Sequence, residues 1–299
     1  MKLESHPVVG LPASFLVYAA FLAARAGILL LPLGAARALG RALGSVSRLF
    51  LRRRARMARE NAVAALGAEG AAAARDSFRH FGEVIVEMVL AHRILGGDRW
   101  RRAIAFEGLE HVDAALKLGK GVIVVGAHLG NWEAAGWGMA LHGYKVNTVV
   151  KPARNPFIRR KLESFRRATG QATIDKKGAM RDVIRALRRN ELLAILADQH
   201  ARKDAIRVPW FGRPTATYRT PAALSIRFGA PIVTFAAPRL PDGRFRLVFD
   251  PPFVADPSGE PEEAVRRETS RIAGSLEAHI RETPGQWLWM HRKWRPQRG

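Results

Sequence analysis

Between residues 121 and 249, short apolar β-branched runs alternate with stretches of helical period, which restricts the chain to a layered α/β architecture. The run GVIVVGAH (121–128) is apolar almost throughout, the pattern of a strand buried on both faces. A helix is expected from about Asn131, a possible N-cap. Strand YKVNTVV (144–150), helix 156–169, a short strand at ATID, helix GAMRDVIRALRRN and strand ELLAILAD (191–198) follow. TPAALSIRFG predicts another helix, and 231–237 and 244–249 predict strands joined around Pro241-Asp242-Gly243 as an antiparallel hairpin. Helices are also expected over 55–66, around 77–95 and over 261–282. The fold class is therefore α/β: a mixed, largely parallel central sheet flanked by helices.

The first residues add a constraint of another kind. From Val8 to Ala36 the only charge is Arg25, and these 29 residues would extend about 43 Å as one helix, against a hydrocarbon core of roughly 30 Å. The segment either spans a bilayer with tilt, or breaks near Arg25 and Pro32 and lies partly in the interface. A cleaved signal peptide is the rival reading, but the start balances Lys2 with Glu4, and Ala-Arg-Ala near residue 25 is a poor cleavage site. An arginine-rich stretch from Arg37 to Arg59 follows, which marks the cytoplasmic side of a membrane segment and suits lipid headgroups. Residues 1–45 are read as anchor or interfacial helix with its basic flank, and 46–299 as the α/β domain.

The 49 Lys and Arg residues outnumber 26 Asp and Glu, a formal net charge of +23. Such a field attracts nucleic acid, an anionic membrane surface or an acidic carrier protein. The basic residues are scattered and no nucleic-acid-binding module is present, so nucleic acid is not the expected partner. The chain has no cysteine, which removes disulfides, thiolate zinc sites and cysteine nucleophiles. Its nine histidines show no H-E-x-x-H or similar spacing, so no metal is implied.

The 121–128 strand ends in HLGNWE, with His128 and Glu133 five residues apart. On one helix they would diverge; they can meet only if His128 lies in a loop and Glu133 in the first helical turn. Gly126 and Gly130 bracket the histidine and permit that path. A histidine held by a carboxylate is a tuned general base, and the carboxyl end of a strand is where open α/β sheets carry their sites. Taken alone, H-x4-E is a weak motif, and a histidine after a strand is more often structural.

HLGNWE, followed in order by KPARNP (151–156), LADQ (196–199), VPWFGRPTAT (208–217) and PGQWLWMHRKWRP (284–296), resembles the lipid A biosynthesis acyltransferases, late lauroyl and myristoyl transferases within the lysophospholipid acyltransferase superfamily. Their relatives include phosphatidylinositol mannoside acyltransferases. The resemblance covers nearly the whole chain and implies a glycerolipid-acyltransferase-like fold. It also implies a place at the bacterial inner membrane with the catalytic domain on the cytoplasmic face, and an acyl group taken from acyl carrier protein or coenzyme A as co-substrate, with no cofactor. His128 resembles the family's catalytic base and Glu133 its dyad partner, while Asn131, Lys151, Arg154, Arg166, Asp198 and Gln199 fall in segments that imply substrate contacts. Lys151 departs from the more usual arginine of its motif, which keeps the charge and loses the bidentate fork. By the residues alone, Arg166 would be solvated surface, Asp198 a turn cap, and Trp287, Trp289 and Trp294 packing or membrane-interface residues.

The expected chemistry is direct transfer: His128 deprotonates an acceptor hydroxyl, which attacks the donor thioester, with the oxyanion held by backbone N–H groups near Gly130 to Trp132 or by a basic side chain. Partners are a membrane lipid acceptor, an acyl carrier protein and an anionic membrane surface. The acceptor stays open between a lipid A precursor, a phosphatidylinositol mannoside-like glycolipid, an ornithine lipid and a lysophospholipid. Chain length of the acyl group and oligomeric state are open as well.

Overall fold

The computed structural model describes residues 11–176, 178–202 and 204–294. Its centre is a seven-stranded sheet built from β1 (Ile104–Glu107), β2 (Val122–Gly130), β3 (Val146–Val150), β4 (Ala172–Asp175), β5 (Leu192–Leu196), β8 (Ile232–Ala237) and β9 (Phe245–Phe249). The order is β1-β9-β8-β2-β5-β3-β4, and every neighbouring pair is parallel except the β8–β9 hairpin. Two strands outside it, β6 (Ala205–Trp210) and β7 (Arg213–Tyr218), form a separate antiparallel ribbon.

The helices are α1 (Leu11–Leu30), α2 (Leu33–Phe50), α3 (Arg52–Leu66), α4 (Gly70–Leu95), α5 (Arg99–Ala103), α6 (Leu109–Leu116), α7 (Trp132–His142), α8 (Pro156–Ala168), α9 (Met180–Arg188), α10 (Thr220–Phe228) and α11 (Pro261–Glu282). They cover both faces of the sheet, and β2 shows why. Ile123, Val125, Ala127 and Leu129 enter one hydrophobic cluster, shared with α3, α9, α10 and α11. Val122 and Val124 enter the other, shared with α6 and α7. The two-residue period of a strand sends alternate side chains to opposite faces, so a strand between two helical layers must be apolar throughout.

The break expected near Pro32 is present: α1 ends at Leu30 and Pro32 is the N-cap of α2. Helix α2 runs across residue 45 and packs on α4 through glycines. A Cβ at Gly44 would come within 2.1 Å of the Phe78 carbonyl oxygen, and one at Gly82 within 2.1 Å of that of Gly40. Two acids of α4 complete the joint, Glu87 with Arg37 at 2.9 Å and Glu83 with Arg41 at 3.0 Å.

Candidate active site

β2 does not stop before its histidine. His128 is an even-numbered strand residue, on the face of Val122 and Val124, and its side chain enters the space between the sheet and α7. The expectation of a loop at His128 is thus corrected: the chain turns two residues later, at Gly130, where φ is +62° and an added Cβ would lie 1.8 Å from the Ala237 carbonyl oxygen. Only glycine satisfies both conditions.

A buried polar cluster holds that turn. Asn131 caps α7 by accepting from the Ala134 N–H at 3.0 Å and donates from Nδ2 to Glu87 at 2.9 Å. Arg239 bonds both Glu87 oxygens and His80 Nδ1, and His80 Nε2–H donates to the Gly130 carbonyl at 3.0 Å. Asn131 is fully buried, with both ends of its amide engaged, and it is absent from the cavity wall. The substrate contact expected of it is corrected to a structural role.

Burial and the Arg239 charge lower the His80 pKa to about 3, although its bond to the Gly130 carbonyl works in the opposite direction. His80 is therefore neutral in the fold at every pH above about 3, whereas an unfolded histidine takes up a proton near 6.5. As pH falls through that window the unfolded state gains a proton that the folded state cannot accept, and stability is lost. Urea titrations should show unfolding free energy falling by about 1.4 kcal/mol per pH unit from this group between pH 6 and 4. His80→Gln, which keeps both hydrogen-bonding ends, should remove that part of the slope; an unchanged slope would contradict the assignment.

The carboxylate against His128 is Asp198. Gly126 lies opposite Leu196 in the parallel β2–β5 register, so two residues further on His128 meets Asp198. Imidazole Nδ1 lies 2.7 Å from Asp198 Oδ1, and the His128 amide donates to Oδ2 at 2.9 Å. Trp287 Nε1–H donates to the same Oδ2 at 2.8 Å, and Lys293 Nζ donates to the Asp198 carbonyl at 2.6 Å. Burial alone would raise the Asp198 carboxyl; the neighbouring His128, with Lys293 and the His128 amide, outweighs it and holds the group well below the usual carboxylate range. An ionised Asp198 makes Nδ1 the protonated ring nitrogen and leaves the Nε2 lone pair free. Gln199 Nε2 lies 3.3 Å from that atom, and the Trp132 ring stands edge-on to the imidazole at 5.0 Å.

Glu133, the carboxylate expected to hold His128, does not bond it. It is the second residue of α7 and points to α8, where Arg166 grips it through two hydrogen bonds, Nη2 to Oε1 at 2.5 Å and Nε to Oε2 at 3.2 Å. His128 and Glu133 instead share a cavity of about 870 Å³, whose wall also includes Lys151, Arg166 and Gln199. Lys176 and Arg181 add positive charge to that wall, and Met139, Ile195, Leu224 and Phe235 line its apolar part. Arg154 is exposed and lies outside this lining. Beyond the Glu133–Arg166 pair lies an apolar cavity of about 210 Å³, bounded by Phe21, Met88, Trp137, Leu162 and Phe165.

The carboxy-terminal tryptophans pack as one of the two expected readings had it, but the hold of this block on Asp198, through Trp287 and Lys293, was missed by sequence reasoning. Its backbone pairs antiparallel with the end of β2, through a bridge between Leu129 and Trp287 and the Leu288 N–H donated to the His128 carbonyl at 3.2 Å. Trp287 and Trp289 are buried beside Trp210 and Phe211, which places them in the core and not at a membrane interface. Lys293 is buried with its ammonium 3.5 Å from the centre of the Trp210 ring, and burial lowers its pKa to about 7. A lysine set among tryptophans in QWLWMHRKW was the available signal.

Comparison with known proteins identifies the family. The profile of the family described as bacterial lipid A biosynthesis acyltransferase matches residues 6–296. The lipid A biosynthesis palmitoleoyltransferase of Escherichia coli (strain K12) is 28% identical over 264 residues, 86% of this chain and 84% of the relative. The lipid A biosynthesis lauroyltransferase of the same organism is 26% identical over 271 residues, again 86% and 84%. A phosphatidylinositol mannoside acyltransferase of Mycobacterium tuberculosis (strain ATCC 25618 / H37Rv) is 28% identical over 160 residues, 52% of this chain and 49% of the relative.

Proposed function

Because the chain belongs to the bacterial lipid A biosynthesis acyltransferase family, and is thus an acyl-transferring enzyme, we propose that it moves a fatty acyl group from an acyl thioester to a hydroxyl of a lipid A precursor or related glycolipid, with His128 as general base. The observation that carries this reading is the His128–Asp198 pair, which leaves Nε2 as the free base at a large, partly apolar, cationic cavity. The acceptor hydroxyl displaces the Gln199 amide and gives its proton to Nε2 as its oxygen bonds the thioester carbonyl carbon. Asp198 stabilises the resulting imidazolium. The Trp132 and Glu133 N–H groups, in the first turn of α7, have no acceptor within the helix and are suited to the oxyanion. Collapse breaks the C–S bond, and the imidazolium proton goes to the departing sulfur. No acyl-enzyme is formed.

Lys151, Lys176 and Arg181 suit the phosphates of a carrier-protein or coenzyme A arm, and the +23 charge would steer an acidic carrier. The apolar cavity beyond Glu133–Arg166 suits part of an acyl chain. In this scheme Glu133 orients Arg166 and the cavity wall, so Glu133→Gln should raise KM more than it lowers kcat. A kcat loss matching that of His128→Ala would return Glu133 to the proton-transfer step. Similarity to phosphatidylinositol mannoside acyltransferases favours a second acceptor class. Lipid mass spectrometry of a deletion strain decides: the species that loses one acyl chain is the acceptor, and an unchanged lipid profile would oppose the proposal.

The membrane-facing part of the reading rests on α1, whose Pro12–Leu30 stretch has a mean hydropathy of 1.8 and is 6% buried. Both ends of α1 are tied to the body: the Ser14 carbonyl accepts from Asn155 beside α8, and the Leu29 carbonyl from Arg93 on α4. A helix held along its length suits the interface of the cytoplasmic leaflet of the inner membrane better than a span. The cysteine-free chain allows a direct check, with single cysteines at Ser5 and Gly34 probed by an impermeant maleimide. Labelling from the same side is expected, and labelling from opposite sides would show a span.

A further inference from the structure

The catalytic cavity leaves one strongly charged concavity unused. A groove of about 490 Å³ between the end of α2, α3 and α4 is lined by Arg48, Arg52, Arg56, Arg59 and Arg75. Among the described residues none of these five guanidinium groups is within ion-pair distance of a carboxylate, and what sets them apart from the chain's other unpaired arginines is that they line one groove. Five like charges lining one groove give it a positive potential that favours an anion. Arginine is also the side chain best matched to a phosphate, through its planar fork of donors.

What lies beside the groove identifies the source of the anion. Ala36, Gly40 and Gly44 fix the inward face of α2 against α4. The opposite arc, with Leu39, Leu43, Val46, Leu49 and Phe50, is exposed, Phe50 by 82%. Leu49 belongs both to that arc and to the groove wall. The helix cannot roll this arc inward without breaking the glycine contacts, so the arc stays outside with the arginines at its edge. An apolar strip edged by arginine is the profile of a helix lying in a bilayer surface, apolar side in the acyl layer and cations at headgroup depth.

We infer that the α2–α3–α4 groove is a headgroup site for an anionic phospholipid, occupied while the α2 strip is seated in the acyl layer. It is distinct from the cavity at His128. The inference rests on the membrane-facing part of the proposed function and is independent of the transfer chemistry.

The test uses the full chain in neutral detergent micelles, titrated calorimetrically with dihexanoyl phosphatidylglycerol, dihexanoyl phosphatidylcholine, inorganic phosphate and an acidic acyl carrier protein. Phosphatidylglycerol should bind more tightly than the other two small probes. The triple variant Arg56→Gln, Arg59→Gln, Arg75→Gln should weaken it by about fivefold per arginine, on the order of 100-fold in all. Removing the same charge from α11 (Arg266→Gln, Arg267→Gln, Arg271→Gln) should change it less than threefold. Both variants should keep wild-type transfer to a micelle-dispersed acceptor, so loss of headgroup binding is separable from failure of the acyltransferase reading. Any of four results would overturn the inference: undiminished phosphatidylglycerol binding by the groove variant, an equal loss in the α11 variant, phosphate binding as tight as the lipid, or loss of carrier-protein binding with the lipid retained.

Discussion

Replacing His128 with alanine is expected to slow acyl transfer by about 10²–10⁴-fold, the usual contribution of a positioned general base. The loss follows from the ring's arrangement: Nδ1 is committed to Asp198, and Nε2 is the nitrogen left at the cavity. Among the described residues no other histidine lines that cavity. His80 and His291 are held neutral by burial, at pKa values lowered to about 3 and about 4, but neither belongs to the cavity wall and neither can take over. The purified variant should retain its circular dichroism, because β2 is fixed by its apolar neighbours and not by this side chain. Transfer within about tenfold of wild type would remove His128 from the proton-transfer step.

The second large effect is expected at Asp198. Asp198→Asn keeps the size of the side chain but removes the charge that opposes the imidazolium and selects the ring tautomer. A loss in kcat of about 10²–10⁴-fold with little change in KM is expected from steady-state rates, because the carboxylate is buried and engaged by His128 and Trp287. Asp198→Glu would keep the charge but must fit a longer side chain among Trp287, Lys293 and the His128 amide, so only partial recovery is expected. A KM effect alone would make Asp198 a binding residue, as its strand-end motif first implied.

The contrast between Asp198 and Glu133 shows what the sequence could and could not disclose. β2 was legible because its apolar residues leave few alternatives to a strand buried on both faces, and His128 at its end was legible with it. Asn131 was legible as an N-cap because capping is local chemistry. The carboxylate partner was not, because it depends on which strand lies beside β2 and in what register, and β5 is some 70 residues further along the chain. Sequence proximity favoured Glu133; the direction of the first turn of α7 gave it to Arg166 instead. Trp287 and Lys293 were hidden for the same reason, since their work begins only when the chain end returns to β2.

Short elements were the other loss. β1 is four residues long, too short to display a period, and β6 contains Pro209, which argues against a strand unless it stands outside a sheet interior. Its alternation, with Ile206, Val208 and Trp210 buried, suits a two-stranded ribbon with one face on the core.

Direct transfer is the central claim, and a single reaction followed on both partners tests it. Purified enzyme is mixed with acyl thioester and lipid acceptor, and intact-protein and lipid mass spectra are taken over one turnover. The lipid should gain one acyl chain while the protein mass stays constant, with donor alone leaving the protein unmodified. A protein species heavier by one acyl group, forming and decaying as fast as product appears, would contradict the account and require a covalent nucleophile activated by the His128–Asp198 pair.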